Sequence, residues 1–271
     1  MPCDDNDNEG PPAPSVIAET RSVTDVDMTP FFETDLTFER KLAVLGPRST
    51  HADSIKVACR DDVAAIDWAR TNVLTVHLEA LAVYVSLTSR HLVHLDLSFN
   101  MLGPSGAEVL GKALLTNNTL ETLVLQRTQL TGSPYRPSFS GLAVLVKGLE
   151  SKRSVLRRVN LAESGLQPNG VRLICCALAF HRTLTALDIS NNQAGLFKDK
   201  QGYTALASLI RFSKTLRMLN MSNNPFESGA GPVLLEALVE NPALTVLHAA
   251  GCKLTEVLGA SSLLKFDECT L

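Results

Sequence analysis

Leu92-Val93-His94-Leu95-Asp96-Leu97-Ser98-Phe99-Asn100-Met101-Leu102 carries apolar residues at its first, fourth, sixth and eleventh places and an asparagine at its ninth. The fourth and sixth places lie two apart, so in an extended strand Leu95 and Leu97 point to one face, and that face is core. The phrase is not unique. Relatives of it begin at Val63, Leu120, Leu156, Leu184, Leu216 and Leu244, so the seven copies follow one another at 29, 28, 36, 28, 32 and 28 residues. Leu187 with Ile189, and Leu219 with Met221, repeat the inward pair. The first copy is the weakest, with Val63, Ile66, Trp68, Thr71 and Val73 in the key places. The ninth place holds Asn100, Asn192 and Asn224, then Cys252 in the last copy and Thr or Ser in the others. A small polar side chain there can bond the backbone where the strand turns.

The remainder of each unit reads as a helix. A glycine precedes it in five copies: Gly106, Gly141, Gly170, Gly202 and Gly229. Apolar residues follow at helical spacing, as in Val109, Leu110, Ala113 and Leu114. Asn117, Asn118 and Thr119, or Asn241 and Pro242, then break the helix. One strand and one helix cannot hide their own apolar faces; stacked neighbours can, which predicts a solenoid.

A Leu-x-x-Leu-x-Leu-x-x-Asn/Cys-x-Leu phrase followed by a full helix resembles the ribonuclease-inhibitor-like subclass of leucine-rich repeats, from about Val63 to the C-terminus. The resemblance implies an α/β fold: a right-handed horseshoe of about seven repeats, with parallel strands on the concave face and helices on the convex face. It also implies a surface that binds other proteins.

Composition sets the remaining bounds. The 271 residues are 45 % hydrophobic, enough for a continuous core. No run of 18 apolar residues occurs, so no membrane insertion is expected. Met1–Gly10 is acidic and polar, unlike a signal peptide, and a cytoplasmic location is the expectation. Residues 1–50 hold ten acids and four bases, net −6; the rest holds eighteen acids and twenty-one bases, net +3. The repeats therefore lack the basic stripe of a nucleic-acid binder. Residues 1–31, rich in Asp, Pro, Ser and Thr, read as a disordered acidic tail. Residues 32–62 read as an N-terminal cap or a degenerate repeat with a helix over His51–Arg60, and residues 63–271 as the repeat domain. A short last helix, about Glu256 to Phe266, would close the far end. Among the cysteines, Cys252 reads as structural, Cys175 as core-facing and Cys176 as exposed.

Motifs that look chemical do not survive their context. Gly106-Ala-Glu-Val-Leu-Gly111-Lys112 begins like a phosphate-binding loop but has Ala113 where Ser or Thr is needed, and Val109 and Leu110 belong to a helix face. His91 and His94 flank a strand start with no acid or cysteine at ligand spacing. Asp67, Asp96 and Asp188 share the fifth place, outward from the strand, where solvated or partner-contacting side chains are expected. No catalytic residue, cofactor or metal is expected.

Two surfaces remain. The concave face presents His94, Asp96, Phe99, Gln126, Arg127, Arg157, Arg158, Asp188, Arg217, Met218 and Asn220; Phe99, Met218 and the arginines have the chemistry of interface anchors. Two insertions between strand and helix, Thr131–Ser140 with Tyr135, Arg136 and Phe139, and Gly195–Gln201 with Phe197 and Lys198, sit on one edge of the array. The expected function is a non-enzymatic scaffold or adaptor that binds a protein partner, alone or as one subunit of a larger assembly. The alternatives are a regulator of an enzyme, since such repeats also occur in the Ran GTPase activator family, and a ubiquitin-ligase substrate receptor.

Overall fold

The computed structural model describes residues 49–254 except 62 and 242, and all but the side chain of Thr88. The expected acidic tail, the stretch from Phe32 to Arg48 and the last helix about Glu256 to Phe266 lie outside the described residues. Among the described residues helix α1 (Thr50–Asp61) comes first, covering the helix expected over His51–Arg60. Then strands and helices alternate: β1 (Ala65–Asp67), α2 (Thr75–Val83), β2 (His94–Asp96), α3 (Gly103–Leu114), β3 (Thr122–Val124), α4 (Ser140–Leu149), β4 (Arg158–Asn160), α5 (Gln167–Leu178), β5 (Ala186–Asp188), α6 (Gln201–Phe212), β6 (Met218–Asn220), α7 (Ala230–Glu240) and β7 (Val246–His248). The seven strands form one parallel sheet in chain order. The register is strictly in phase: Leu95 pairs with Leu123, Leu123 with Val159 and Val159 with Leu187. Each tier thus lays its fourth-place residue on the fourth-place residue of its neighbour, whatever the length of the unit between them. Those residues, with the sixth-place Leu97, Leu125, Leu161, Ile189 and Met221, are buried in one continuous core.

Polar ladders run along both edges of that core. On the strand-to-helix edge, Asn192 donates from Nδ2 to the carbonyls of Leu161, Ile189 and Ser190, and its Oδ1 accepts from the amides of Ser164 and Leu166. Asn224 does the same one tier on, and its Oδ1 accepts from the amides of Asn192 and Ala194. Asn100 joins tiers one and two in the same way. The three ninth-place asparagines therefore bond the previous tier as well as their own turn. Thr128 and Ser164 fill the place with hydroxyls on the Leu125 carbonyl, and the buried Cys252 Sγ donates to the Met221 carbonyl. On the return edge, Asn117, His181 and Ser213 each accept the amide that opens the next strand, at Leu120, Leu184 and Leu216.

The glycines do not precede their helices, with one exception. Gly106 and Gly170 lie inside α3 and α5, Gly141 and Gly202 inside the first turns of α4 and α6, and only Gly229 stands ahead of its helix. Close approach is the reason. A Cβ on Gly141 would stand 1.8 Å from the Pro104 carbonyl oxygen of the preceding tier. Gly111, from the phosphate-loop-like string, is buried in α3 where α4 crosses it; a Cβ there would lie 2.4 Å from the Val144 carbonyl carbon. Cys175 is buried and Cys176 exposed. Among the described residues no helix is long and apolar enough to cross a membrane.

Candidate functional site

The eighth place of each phrase has a property that residue type alone does not suggest. Arg70, Phe99, Arg127, Glu163, Asn191, Asn223 and Gly251 all take positive φ, between 53° and 71°. Each follows the strand at the point where the chain bends toward its helix, so the seven residues form a row along the rim of the strand face. Asn and Gly enter this left-handed region readily, while other side chains pay about 1 kcal/mol or more for it. Tiers five to seven carry Asn or Gly. Tiers one to four carry Arg, Phe, Arg and Glu, which stack on one another instead. The Arg70 guanidinium lies 4.2 Å from the Phe99 ring centroid and that of Arg127 lies 5.4 Å from it. Arg127 also forms an ion pair with Glu163.

Beside this row the strand face opens into a groove of about 550 Å³ spanning tiers one to five. Its floor is shallow because Thr122, Val124 and Ala186 are small, and His94, Asp96, Phe99, Gln126 and Arg158 stand around it. Five of the strand-face residues expected as contacts thus gather in one place, and Arg127 reaches it through Phe99. The others do not gather there. Arg157 is paired with Glu121 at 3.3 Å, and Arg217 donates to the Ala243 carbonyl at 2.8 Å. Met218 is half-buried at the start of β6. Arg158 itself donates to the Thr122 hydroxyl at 3.1 Å.

The fifth-place acids have a structural use, and for Asp188 alone it corrects the expectation of a solvated or partner-contacting side chain. Asp67, Asp96 and Asp188 each accept the backbone amide two residues on, at Ala69, Ser98 and Ser190, which fixes the bend after the strand. Asn160 and Asn220 do likewise. Asp188 is only 5 % exposed and takes a second bond from Asn220 Nδ2. It is a turn clasp between tiers rather than a displayed carboxylate.

The two insertions divide similarly. Tyr135 is 93 % exposed and Arg136 is exposed, but Phe139 is half-buried against the core at the head of α4. The loop is anchored by Gln167, whose Nε2 donates to the Pro134 carbonyl. In the second insertion Leu196–Lys198 makes a single 3₁₀ turn. Phe197 and Lys198 both have φ of 57°, and Phe197 is 91 % exposed.

The family model of the leucine-rich repeat matches residues 88–111, which hold β2 and all but the last turn of α3. The chain is a leucine-rich repeat protein. It is 30 % identical over 164 residues to human "NACHT, LRR and PYD domains-containing protein 14", covering 59 % of this chain and 14 % of that protein. To human "NACHT, LRR and PYD domains-containing protein 13" it is 28 % identical over 188 residues, covering 69 % and 17 %. The chain thus spans less than a fifth of the length of these curated relatives. Among solved structures, the C-terminal domain of tropomodulin from Caenorhabditis elegans superposes with a TM-score of 0.42 at 16 % identity, over 71 % of this chain and 93 % of that one.

Within the leucine-rich repeat array, the strand-face reading of the sequence missed Arg70 and Glu163. The signal was present in the eighth place: Asn191, Asn223 and Gly251 mark it as a left-handed position, and against them the four residues of tiers one to four stand out.

Proposed function

We propose that this leucine-rich repeat protein is a non-enzymatic interaction module that grips a protein partner with the strand face of tiers one to four. The observation that carries this reading is the row Arg70, Phe99, Arg127 and Glu163, held in left-handed backbone that Asn or Gly would adopt at lower cost. Strain at a surface position argues that the side chain there has work beyond folding. Phe and Arg are the types that dominate interface energetics, and here they border a groove that includes His94 and Arg158. The rim insertions, through Tyr135, Arg136, Phe197 and Lys198, would extend the contact along the same edge. The tiers of about 28 residues with a full helix support the ribonuclease-inhibitor-like subclass. A scaffold or adaptor role, within a larger assembly, fits a rigid pre-organised surface. Neither regulation of an enzyme nor substrate reception for a ubiquitin ligase has a specific observation in its favour.

Placing a photo-reactive amino acid at Gln126 on the strand face, or at Lys147 on α4, and illuminating cells tests the assignment. Adducts of defined mass should form from position 126, vanish with Phe99→Asn, and be absent from position 147. Adducts that arise from position 147 and ignore Phe99→Asn would place the partner on the helix face.

A further inference from the structure

The return edge, opposite the eighth-place row, carries a second surface. Phe180 follows α5 and Phe212 closes α6; they are 76 % and 47 % exposed. Their rings stack on each other across adjacent tiers, with centroids 5.7 Å apart and planes 26° off parallel. The same place holds Thr116 after α3 and Glu240 at the end of α7, so nothing in the repeat requires an aromatic ring there. The three return turns beside the pair are basic. Lys152 and Arg153 lie in the turn after α4, Arg182 in the turn after α5 and Lys214 in the turn after α6, all exposed. None of these four forms an ion pair among the described residues, whereas Lys112, Arg127, Arg157 and Arg211 all do. Next to Phe180, a groove of about 350 Å³ runs between the turns and is lined by Glu150, Ser154, Ala177 and His181.

We propose that this edge docks a short acidic segment of a partner protein, with an apolar side chain laid over Phe180 and Phe212 and its carboxylates on Lys152, Arg153, Arg182 and Lys214. Charge complementarity carries the choice of occupant. The four cations surround an apolar pair, which suits a ligand with a few separated negative charges and a greasy side chain between them. A continuous polyanion suits the edge less well. Glu150 lies in the groove, and the carbonyl ends of α4, α5 and α6 point to this edge with their negative partial charge. A nucleic-acid backbone would bring phosphates against both. A membrane would reach the two rings only with a flat apolar rim, and the neighbouring return turns present Thr116 and Ser151. This surface is independent of the strand-face reading.

The test uses the full chain and a fluorescein-labelled peptide of alternating glutamate and phenylalanine, followed by fluorescence anisotropy. The peptide should bind, and added salt should weaken it. The double variants Phe180→Ser/Phe212→Ser and Lys152→Glu/Arg182→Glu should each lose about tenfold in affinity, as expected when anchors of an interface are removed. Phe197→Ser, on the opposite edge, should bind as the unaltered chain does. All four altered rim side chains are exposed, and thermal melts of the variants should coincide with that of the unaltered chain. The proposal is overturned if both double variants keep full peptide affinity. It is equally overturned if poly(U) RNA, or vesicles of phosphatidylserine and phosphatidylcholine, bind in a rim-dependent way while the peptide does not.

Discussion

Asn192 shows how much of the array one side chain can hold. Its amide donates to three carbonyls and accepts two backbone amides, and all of those groups are buried with it. Replacing it by alanine leaves several buried backbone groups without partners, each worth about 1–3 kcal/mol. Asn192→Ala should therefore destabilise the protein by at least about 3 kcal/mol, read as a lower urea midpoint with unchanged slope. The polar character of the ninth place was legible in the sequence, because the asparagine recurs at one fixed distance from the paired leucines. Its reach into the previous tier was not, since that depends on how closely the tiers stack. Asp188 failed in the opposite sense. An acid in the outward fifth place looked displayed, but a side chain of that length folds back onto the amide of Ser190 and meets Asn220. The same contacts predict that Asp188→Ala costs about 1–3 kcal/mol of stability, because it orphans the buried Ser190 amide and the half-buried Asn220 side chain, and calorimetry would measure it.

At the scale of elements, close approach decides more than propensity does. Gly141→Ala should cost more than about 2 kcal/mol, because the added methyl overlaps backbone of the preceding tier, while Gly229→Ala, with nothing nearer than 3.8 Å, should be neutral or mildly stabilising. Comparing the two denaturation midpoints checks the claim. The glycine spacing was visible in the sequence, but a repeat pattern does not say whether a glycine turns the chain or lets two tiers touch.

The junction of α1 with the array is a second case. His51 stacks on His77 with ring centroids 4.2 Å apart and lies edge-on to Trp68 at 4.7 Å. Thr71 already donates its hydroxyl proton to the Trp68 carbonyl, so His51 donates to Thr71, and His77 Nδ1 accepts the Leu74 amide. The accepting nitrogen holds the His77 ring neutral. Burial, and then the nearby His51, push His77 from 6.5 down to about 4, and burial lowers His51 as well. Between pH 6.5 and about 4 the unfolded chain binds more protons at His77 than the folded chain does. The stability contributed by the neutral ring is therefore complete above pH 6.5 and is lost as pH falls toward 4. Urea unfolding across that window should show a slope that His77→Gln reduces. A pH dependence identical in the two proteins would contradict the assignment.

For the whole molecule, the in-phase register explains why units of 28, 32 and 36 residues coexist in one array. Extra residues leave the stack at the same edge and return without shifting the core. Fold and tier order were therefore legible from the periodicity of leucine alone. The placement of the candidate site was only half legible. Phe99 and Arg127 stood out by residue type, but the sign of φ along the row is a property of the bend and not of the repeat pattern. Central to the account is that the array folds without Arg70, Phe99, Arg127 and Glu163, and that these side chains are kept for a partner against a backbone cost. The direct measurement is equilibrium urea unfolding of the variant with all four replaced by asparagine. Relief of about 1 kcal/mol of left-handed strain at each place should match or exceed the lost cation–π contacts and exposed ion pair, so the midpoint should equal or exceed that of the unaltered protein. A loss of several kcal/mol would show that the row belongs to the scaffold and contradict the account.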